Sequence, residues 1–373
     1  MNDLPQIIRG EIQNRGAITF ARFMELALYC PDCGYYEKES DTVGRAGDFY
    51  TSVSVGSLFG ELLAFQFAEW LEKIPAERIQ VAEAGAHDGK LAGDILSWLR
   101  QFRPELFERL DYFIIDPSER RQSWQKKNLA GFEGRVCWLK TLPRNVEDKI
   151  RGVIFANELL DAMPVHRLFW DAKQRDWFEW GVSISGDGFD WIKLRRTIHP
   201  GELADLPDEL LEVLPDGHVF EVSPGARDWW RDAAASLDVG MLMTSDYGGY
   251  DESGIDPRTS AGTLRAYHKH KASNNVLANV GEQDITANVD FGAIRRVGDN
   301  SGLKTELFET QSKFLLGVAS RWLKYSGETD GVVRQRGREL LTLTHPEHLG
   351  RAFRVLVQSR FGGAYGQSVG SIA

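Results

Sequence analysis

Three cysteines, Cys30, Cys33 and Cys137, are all that the 373-residue chain carries. That is too few for a disulfide framework, and a reducing compartment is expected. No apolar run approaches the ~18–20 residues that cross a bilayer, which excludes a membrane-spanning helix. The opening Met1-Asn2-Asp3-Leu4-Pro5-Gln6 lacks the basic and apolar regions of a secretory signal. Together these features predict a cytoplasmic protein that does not engage membranes. Positive charge is also short: 44 Lys and Arg against 54 Asp and Glu leave a formal charge of −10. A surface of that sign excludes broad binding along a nucleic-acid backbone, which needs clustered cations. Metal ligands are sparse. Cys30-Pro31-Asp32-Cys33 has C-x-x-C spacing, but a zinc site wants a second ligand pair and Cys137 stands alone. A turn with two ordinary thiols is the better reading, and no metal is expected.

What is present is core-forming material. Apolar residues make up 42% of the chain, with 11 Trp and 20 Phe, so a packed interior is expected rather than disorder. Helical spacing runs through Phe20, Phe23, Met24 and Leu26 and breaks at Pro31 and Gly34. Thr51 and Ser52 can cap an apolar helix from about Val55 to Leu71. From residue 78 the pattern alternates. Ile79–Ala84, Asp111–Asp116, Val136–Leu139 and Gly152–Ala156 read as strands, with helical spacing over Leu91–Gln101 and from Ser118 to about Leu129. Met241–Asp246 reads as a fifth buried strand. Strands alternating with helices imply a parallel sheet with right-handed crossovers, so the expected fold is α/β and Rossmann-like, with helices on both faces. Two segments interrupt it: an aromatic β-rich stretch at about 165–217, and a polar, irregular one at about 248–289. The expected organisation is an N-terminal helical region, 1–77, and a Rossmann-like domain, 78–373, carrying both insertions.

Chemistry concentrates at strand ends. Glu83-Ala84-Gly85-Ala86-His87-Asp88-Gly89 follows the first strand, where glycines let the backbone bend tightly and approach a ligand. A dinucleotide site wants a glycine at the His87 position to admit a pyrophosphate. S-adenosylmethionine has none, which favours it over a nicotinamide cofactor. Asp116, ending the second strand, can accept both ribose hydroxyls; the plainer alternative is a cap for the helix that follows. The fourth strand runs into Asn157-Glu158-Leu159-Leu160-Asp161-Ala162-Met163-Pro164. A helical turn there would put Glu158 and Asp161 on one side, where two carboxylates can hold a guanidinium and orient one nitrogen. Solvated capping is the alternative. Arg265, His268, Lys269, His270 and Lys271 form the densest basic cluster, either a solvated loop or a docking surface for an acidic protein region. Tyr247, with Tyr250 and Tyr267, either walls an acceptor channel or packs with other aromatics.

The chain resembles the MidA-like methyltransferases over nearly its whole length. The resemblance is carried by Gly16–Met24 with Gly34-Tyr35-Tyr36, Gly47–Ser52 with Leu58–Leu62, the Glu83–Gly89 loop and Asn157–Pro164. Further on it is carried by Ser245–Gly248, Gly262–His268 and Gly281–Asp290. The family includes a mitochondrial complex I assembly factor that acts on a protein arginine. The resemblance implies a class I methyltransferase using S-adenosyl-L-methionine, with an arginine-containing protein as substrate. It implies that Glu83, Gly85, Gly89 and Asp116 line the cofactor site. Phe49, Thr51 and Ser52, within Gly47–Ser52, would close over that site. Asn157, Glu158 and Asp161 would face the transferred methyl group. The family's loop more often reads Gly-Pro-Gly-Arg-Gly, and its histidine is replaced here by Asn288. Two rival readings are a non-catalytic assembly protein on the same fold and a nicotinamide oxidoreductase.

Overall fold

In a computed structural model, residues 3–38, 51–195, 197, 208–249, 260–269, 271–326, 330–345 and 349–361 are described. The chain divides into two compact units, each built from several chain segments.

The larger unit comprises residues 50–160, 229–247 and 295–373. Its centre is a seven-stranded sheet, numbered here in chain order: β1 (Ile79–Ala84), β2 (Leu110–Ile115), β3 (Val136–Leu139), β4 (Ile150–Asn157), β5 (Leu237–Tyr247), β6 (Lys304–Thr310) and β7 (Phe353–Arg360). The order across the sheet is β6-β7-β5-β4-β1-β2-β3. The first five strands are parallel, and β7 runs antiparallel between β5 and β6. Strands buried on both faces are written as unbroken apolar runs. Val153-Ile154-Phe155-Ala156 and Met241-Leu242-Met243 are buried throughout. Helix Leu58–Leu71 is apolar on nearly all sides and correspondingly buried, packed with helices Lys90–Phe102 and Gln311–Ser326. Phe67 of that helix meets Phe155 of β4 at 5.0 Å between ring centroids. The single helix expected from about Val55 is two helices. Thr51 caps Ser52–Val55 through a reciprocal box with Ser54, and Gly56-Ser57 separates this turn from Leu58–Leu71.

The smaller unit comprises residues 1–49, 161–228 and 248–294. The N-terminal segment thus contributes to both units, and the two segments expected as insertions fall within the smaller one. An antiparallel sheet joins Ile18–Thr19, Asp176–Ser185, His166–Asp171 and Val219–Val222 in that order, with Gly188–Arg195 also paired to Asp176–Ser185. The hairpin turn between the last two uses Gly186 at φ +54°, as the Gly-Asp-Gly spacing requires. Helices Leu4–Arg15 and Phe20–Tyr29 bury Ile8, Ile12, Phe23, Met24 and Leu28 in this unit's core. Thr19 caps the second helix, accepting from the Arg22 amide at 3.2 Å. The stretch expected to be irregular contains a three-stranded sheet of Arg265–His268, Lys271–Ser273 and Asp284–Thr286. Residues 250–259 of it lie outside the described residues.

Candidate active site

The chain reverses its order across the large sheet between β1 and β4. In open parallel sheets the crevice outside the carboxyl ends of two such strands is where ligands bind. β1 gives way to the turn Gly85–Gly89, which opens helix Lys90–Phe102. Three of its five residues are left-handed: Gly85 at φ +74°, His87 at +46° and Gly89 at +86°. Glycine adopts these angles freely and an L side chain does not. Gly85 is demanded twice over, because a Cβ there would lie 2.9 Å from Leu159 Cδ1. Asp88 Oδ1 accepts from the Lys90 amide at 2.9 Å, satisfying a donor that the helix start leaves over.

Glu83 is buried inside the sheet. Its Oε2 accepts a 2.6 Å hydrogen bond from the Tyr112 hydroxyl on β2. Burial, opposed by that bond, pushes the Glu83 pKa up to about 8, so the group is largely protonated at neutral pH. Asp116, just past β2, is also buried. Its Oδ1 accepts from the Ser118 amide at 2.9 Å and from Arg121 Nη2 at 2.7 Å. Its Oδ2 accepts from Arg121 Nε at 3.0 Å and from Gln125 Nε2 at 2.8 Å. Four donors fill the roughly four acceptor positions of a carboxylate. A ribose diol would therefore be accepted by exchange of an Arg121 bond; that side chain is 12% exposed. The plainer role weighed for Asp116, holding the start of the next helix, is present through its bond to the Ser118 amide.

β4 ends at Asn157, and Glu158 follows in the left-handed region at φ +52°. The helical turn expected over Glu158–Asp161 does not form, so helical spacing does not bring those two carboxylates to one side. The amides of Leu159 and Leu160 go instead to Asp246 Oδ2, at 3.1 and 2.8 Å. Glu158 Oε1 accepts from the Ser52 amide at 3.0 Å and from Asn157 Nδ2 at 3.2 Å. Asn157 Oδ1 is buried with no hydrogen-bond partner among the described residues. An orphaned acceptor at the head of a central strand is what a polar ligand completes, so these residues fit a bound cofactor.

The sequence reading takes Asp246 only as the end of a strand. In the structure it is fully buried on β5 and also accepts from the Tyr247 amide at 2.9 Å. It thereby shapes the turn that carries Glu158. Gln311, equally buried, accepts from the hydroxyls of Ser52 at 3.2 Å and Ser245 at 3.0 Å. No local pattern marks it, because its role is set by distant partners. Tyr247 is 40% exposed and packs edge-on against Phe353, so aromatic packing is the arrangement present.

In the smaller unit, Asp161 is nearly buried and its carbonyl accepts from the Ala287 amide at 2.9 Å. Arg265 is exposed, with Nη1 donating to the Leu264 carbonyl at 2.8 Å, and His268 Nδ1 donates to the Glu282 carbonyl at 2.6 Å. Cys30 and Cys33 are buried with Sγ atoms 2.9 Å apart, and burial pushes the Cys30 pKa up to about 12. No group of three metal-ligating side chains occurs among the described residues. Phe49 and His270 lie outside them.

The model of a family described as S-adenosyl-L-methionine-dependent methyltransferases matches residues 62–309. The chain belongs to this family. The chain is similar to the mitochondrial protein arginine methyltransferase NDUFAF7 of Danio rerio, 28% identical over 91% of this chain and 82% of that one. The human protein of the same name is 29% identical over 77% of this chain and 67% of its own length. A crystal structure of a Burkholderia thailandensis protein bound to S-adenosyl-homocysteine superposes with a TM-score of 0.84 at 30% identity. It covers 96% of this chain and 92% of that one. The α/β sheet is thus that of a MidA-like class I methyltransferase, and the cofactor of this methyltransferase is S-adenosyl-L-methionine. The expected cytoplasmic location is corrected: the curated relatives are named as mitochondrial proteins. Scarce cysteines mark a reducing environment but do not say which compartment supplies it.

Proposed function

We propose that this methyltransferase transfers a methyl group to a guanidinium nitrogen of an arginine in a partner protein. The names of the curated relatives support the acceptor. The observation in this chain that carries the reading is Glu158, a partly exposed carboxylate at the carboxyl end of β4 whose Oε1 is fixed by the Ser52 amide and Asn157 Nδ2. A carboxylate so held accepts a guanidinium in a defined plane and keeps one nitrogen in line for displacement. An arginine pKa above ~12 argues against deprotonation before the reaction. Glu158 instead stabilises the cation and eases proton loss as the new N–C bond forms. The turn Gly85–Gly89 with Asn157 is proposed to hold the amino-acid end of the cofactor, and Asp116 its ribose. When bound, the cofactor supplies an electrophilic methyl group on a sulfonium. Arg265 and His268 are the proposed docking side for an acidic region of the partner. Replacing Glu158→Gln should abolish methyl transfer to an arginine peptide while S-adenosylhomocysteine still binds. Retained turnover would reject the role.

A further inference from the structure

Gln125 lies in helix Glu119–Asn128, fully buried in an otherwise polar stretch, and nothing in the sequence singles it out. Its amide makes three hydrogen bonds to three different elements. Oε1 accepts from Trp138 Nε1 on β3 at 3.0 Å; Nε2 donates to the His87 carbonyl at 3.0 Å and to Asp116 Oδ2 at 2.8 Å. An indole nitrogen only donates, so the amide oxygen must face Trp138, and both amide hydrogens are left for the two acceptors. The orientation is therefore dictated by chemistry, and every polar atom of the amide is used. Asn128, three residues along the same helix, donates to the next carbonyl of the turn, that of Asp88, at 2.9 Å.

The turn held in this way contains His87 at φ +46°, where an L side chain is strained. The His87 ring lies beside the turn's own Asp88, with Nδ1 3.8 Å from Asp88 Oδ1, beyond hydrogen-bond distance. We infer that Gln125 is a positioning residue for cofactor binding: its bond to the His87 carbonyl keeps the turn Gly85–Gly89 in its binding shape although residue 87 is not glycine. The inference rests on the reading that this turn holds the cofactor.

The test is calorimetric titration of S-adenosylhomocysteine into the full-length protein, with thermal unfolding recorded for each variant. Gln125→Met, close in size but without the amide, should weaken binding roughly tenfold, the worth of about one net hydrogen bond. His87→Gly alone sets the reference affinity of a double-mutant cycle. Adding Gln125→Met to it should cost less than about threefold, against tenfold in the parent, because glycine takes the left-handed angle unaided. A purely structural role for Gln125 would cost the same in both backgrounds. Trp138→Phe, which frees the amide to turn over, should weaken binding in the same direction and serves if Gln125→Met does not fold. Binding unchanged in Gln125→Met, or a loss in a folded variant that is as large with His87→Gly in place, overturns the inference. Gly85→Ala separates the underlying reading: if it leaves affinity intact, the turn does not hold the cofactor, whatever Gln125 does.

Discussion

Glu83 offers a test of the buried end of β1 that needs no substrate. Its carboxyl has an ordinary value of 4.5 and is raised to about 8 in the folded protein, chiefly by burial. Below pH 4.5 it is protonated whether the chain is folded or not, so nothing is lost. As pH rises the unfolded chain ionises first, while the folded one keeps its proton, and folding is increasingly disfavoured until the pH passes the folded value. At 1.36 kcal/mol per pH unit the loss is about 3 kcal/mol at pH 7 and levels near ~5 kcal/mol above pH 8.5. Glu83→Gln keeps the size of the side chain and an oxygen to accept from the Tyr112 hydroxyl, but it cannot ionise. Urea unfolding of the two proteins at half-unit steps from pH 4 to 9 reads the difference. The variant should match the parent near pH 4 and become steadily more stable above it. A difference that stays flat across this range would refute the burial argument and place Glu83 in contact with water or a cation.

Three other outcomes follow from the structure. Asp246→Ala removes the acceptor for the amides of Leu159, Leu160 and Tyr247; kcat should fall at least tenfold while the Kd for S-adenosylhomocysteine moves by less than about threefold. Equal losses in both would mean that Asp246 serves the fold and not the turn bearing Glu158. Gly152→Ala on β4 would put a Cβ 1.8 Å from the Gln80 carbonyl on β1, and the urea midpoint should drop by an amount worth more than about 3 kcal/mol. In thiol titration with Ellman's reagent at pH 8, exposed Cys137 should react promptly. The buried pair Cys30 and Cys33 should wait for denaturant. Prompt reaction of all three would contradict the burial of that turn.

The parts of the molecule legible in the sequence are those fixed by local pattern. The parallel strands announce themselves because burial on both faces demands consecutive apolar residues, and Ser118 marks its helix because a hydroxyl satisfies the Arg121 amide from its own chain neighbourhood. The turn after β4 is different. Its shape is held by Asp246, 87 residues away from Leu159 in the chain, which accepts from the amides of Leu159 and Leu160. The small sheet over Arg265–Thr286 is hidden for another reason: strands of three or four residues are too short for alternation to rise above the polar residues around them. Gln125 and Gln311 are hidden because an amide gains its meaning only from what surrounds it.

Four carboxylates stand at or just past the carboxyl ends of the four central strands, and their surroundings sort them. Glu83 carries a proton at neutral pH beside Tyr112. Asp116 is already filled by Arg121, Gln125 and an amide. Asp246 is spent on backbone amides. These three are buried, at 2%, 2% and 0% exposure, and a cationic acceptor arriving from solvent cannot reach a carboxylate so enclosed without displacing its partners. Glu158 is the partly exposed one, held on a left-handed turn by the Ser52 amide and the Asn157 carboxamide. A guanidinium needs an oriented carboxylate that it can reach from solvent, and of these four positions the end of β4 best meets that requirement.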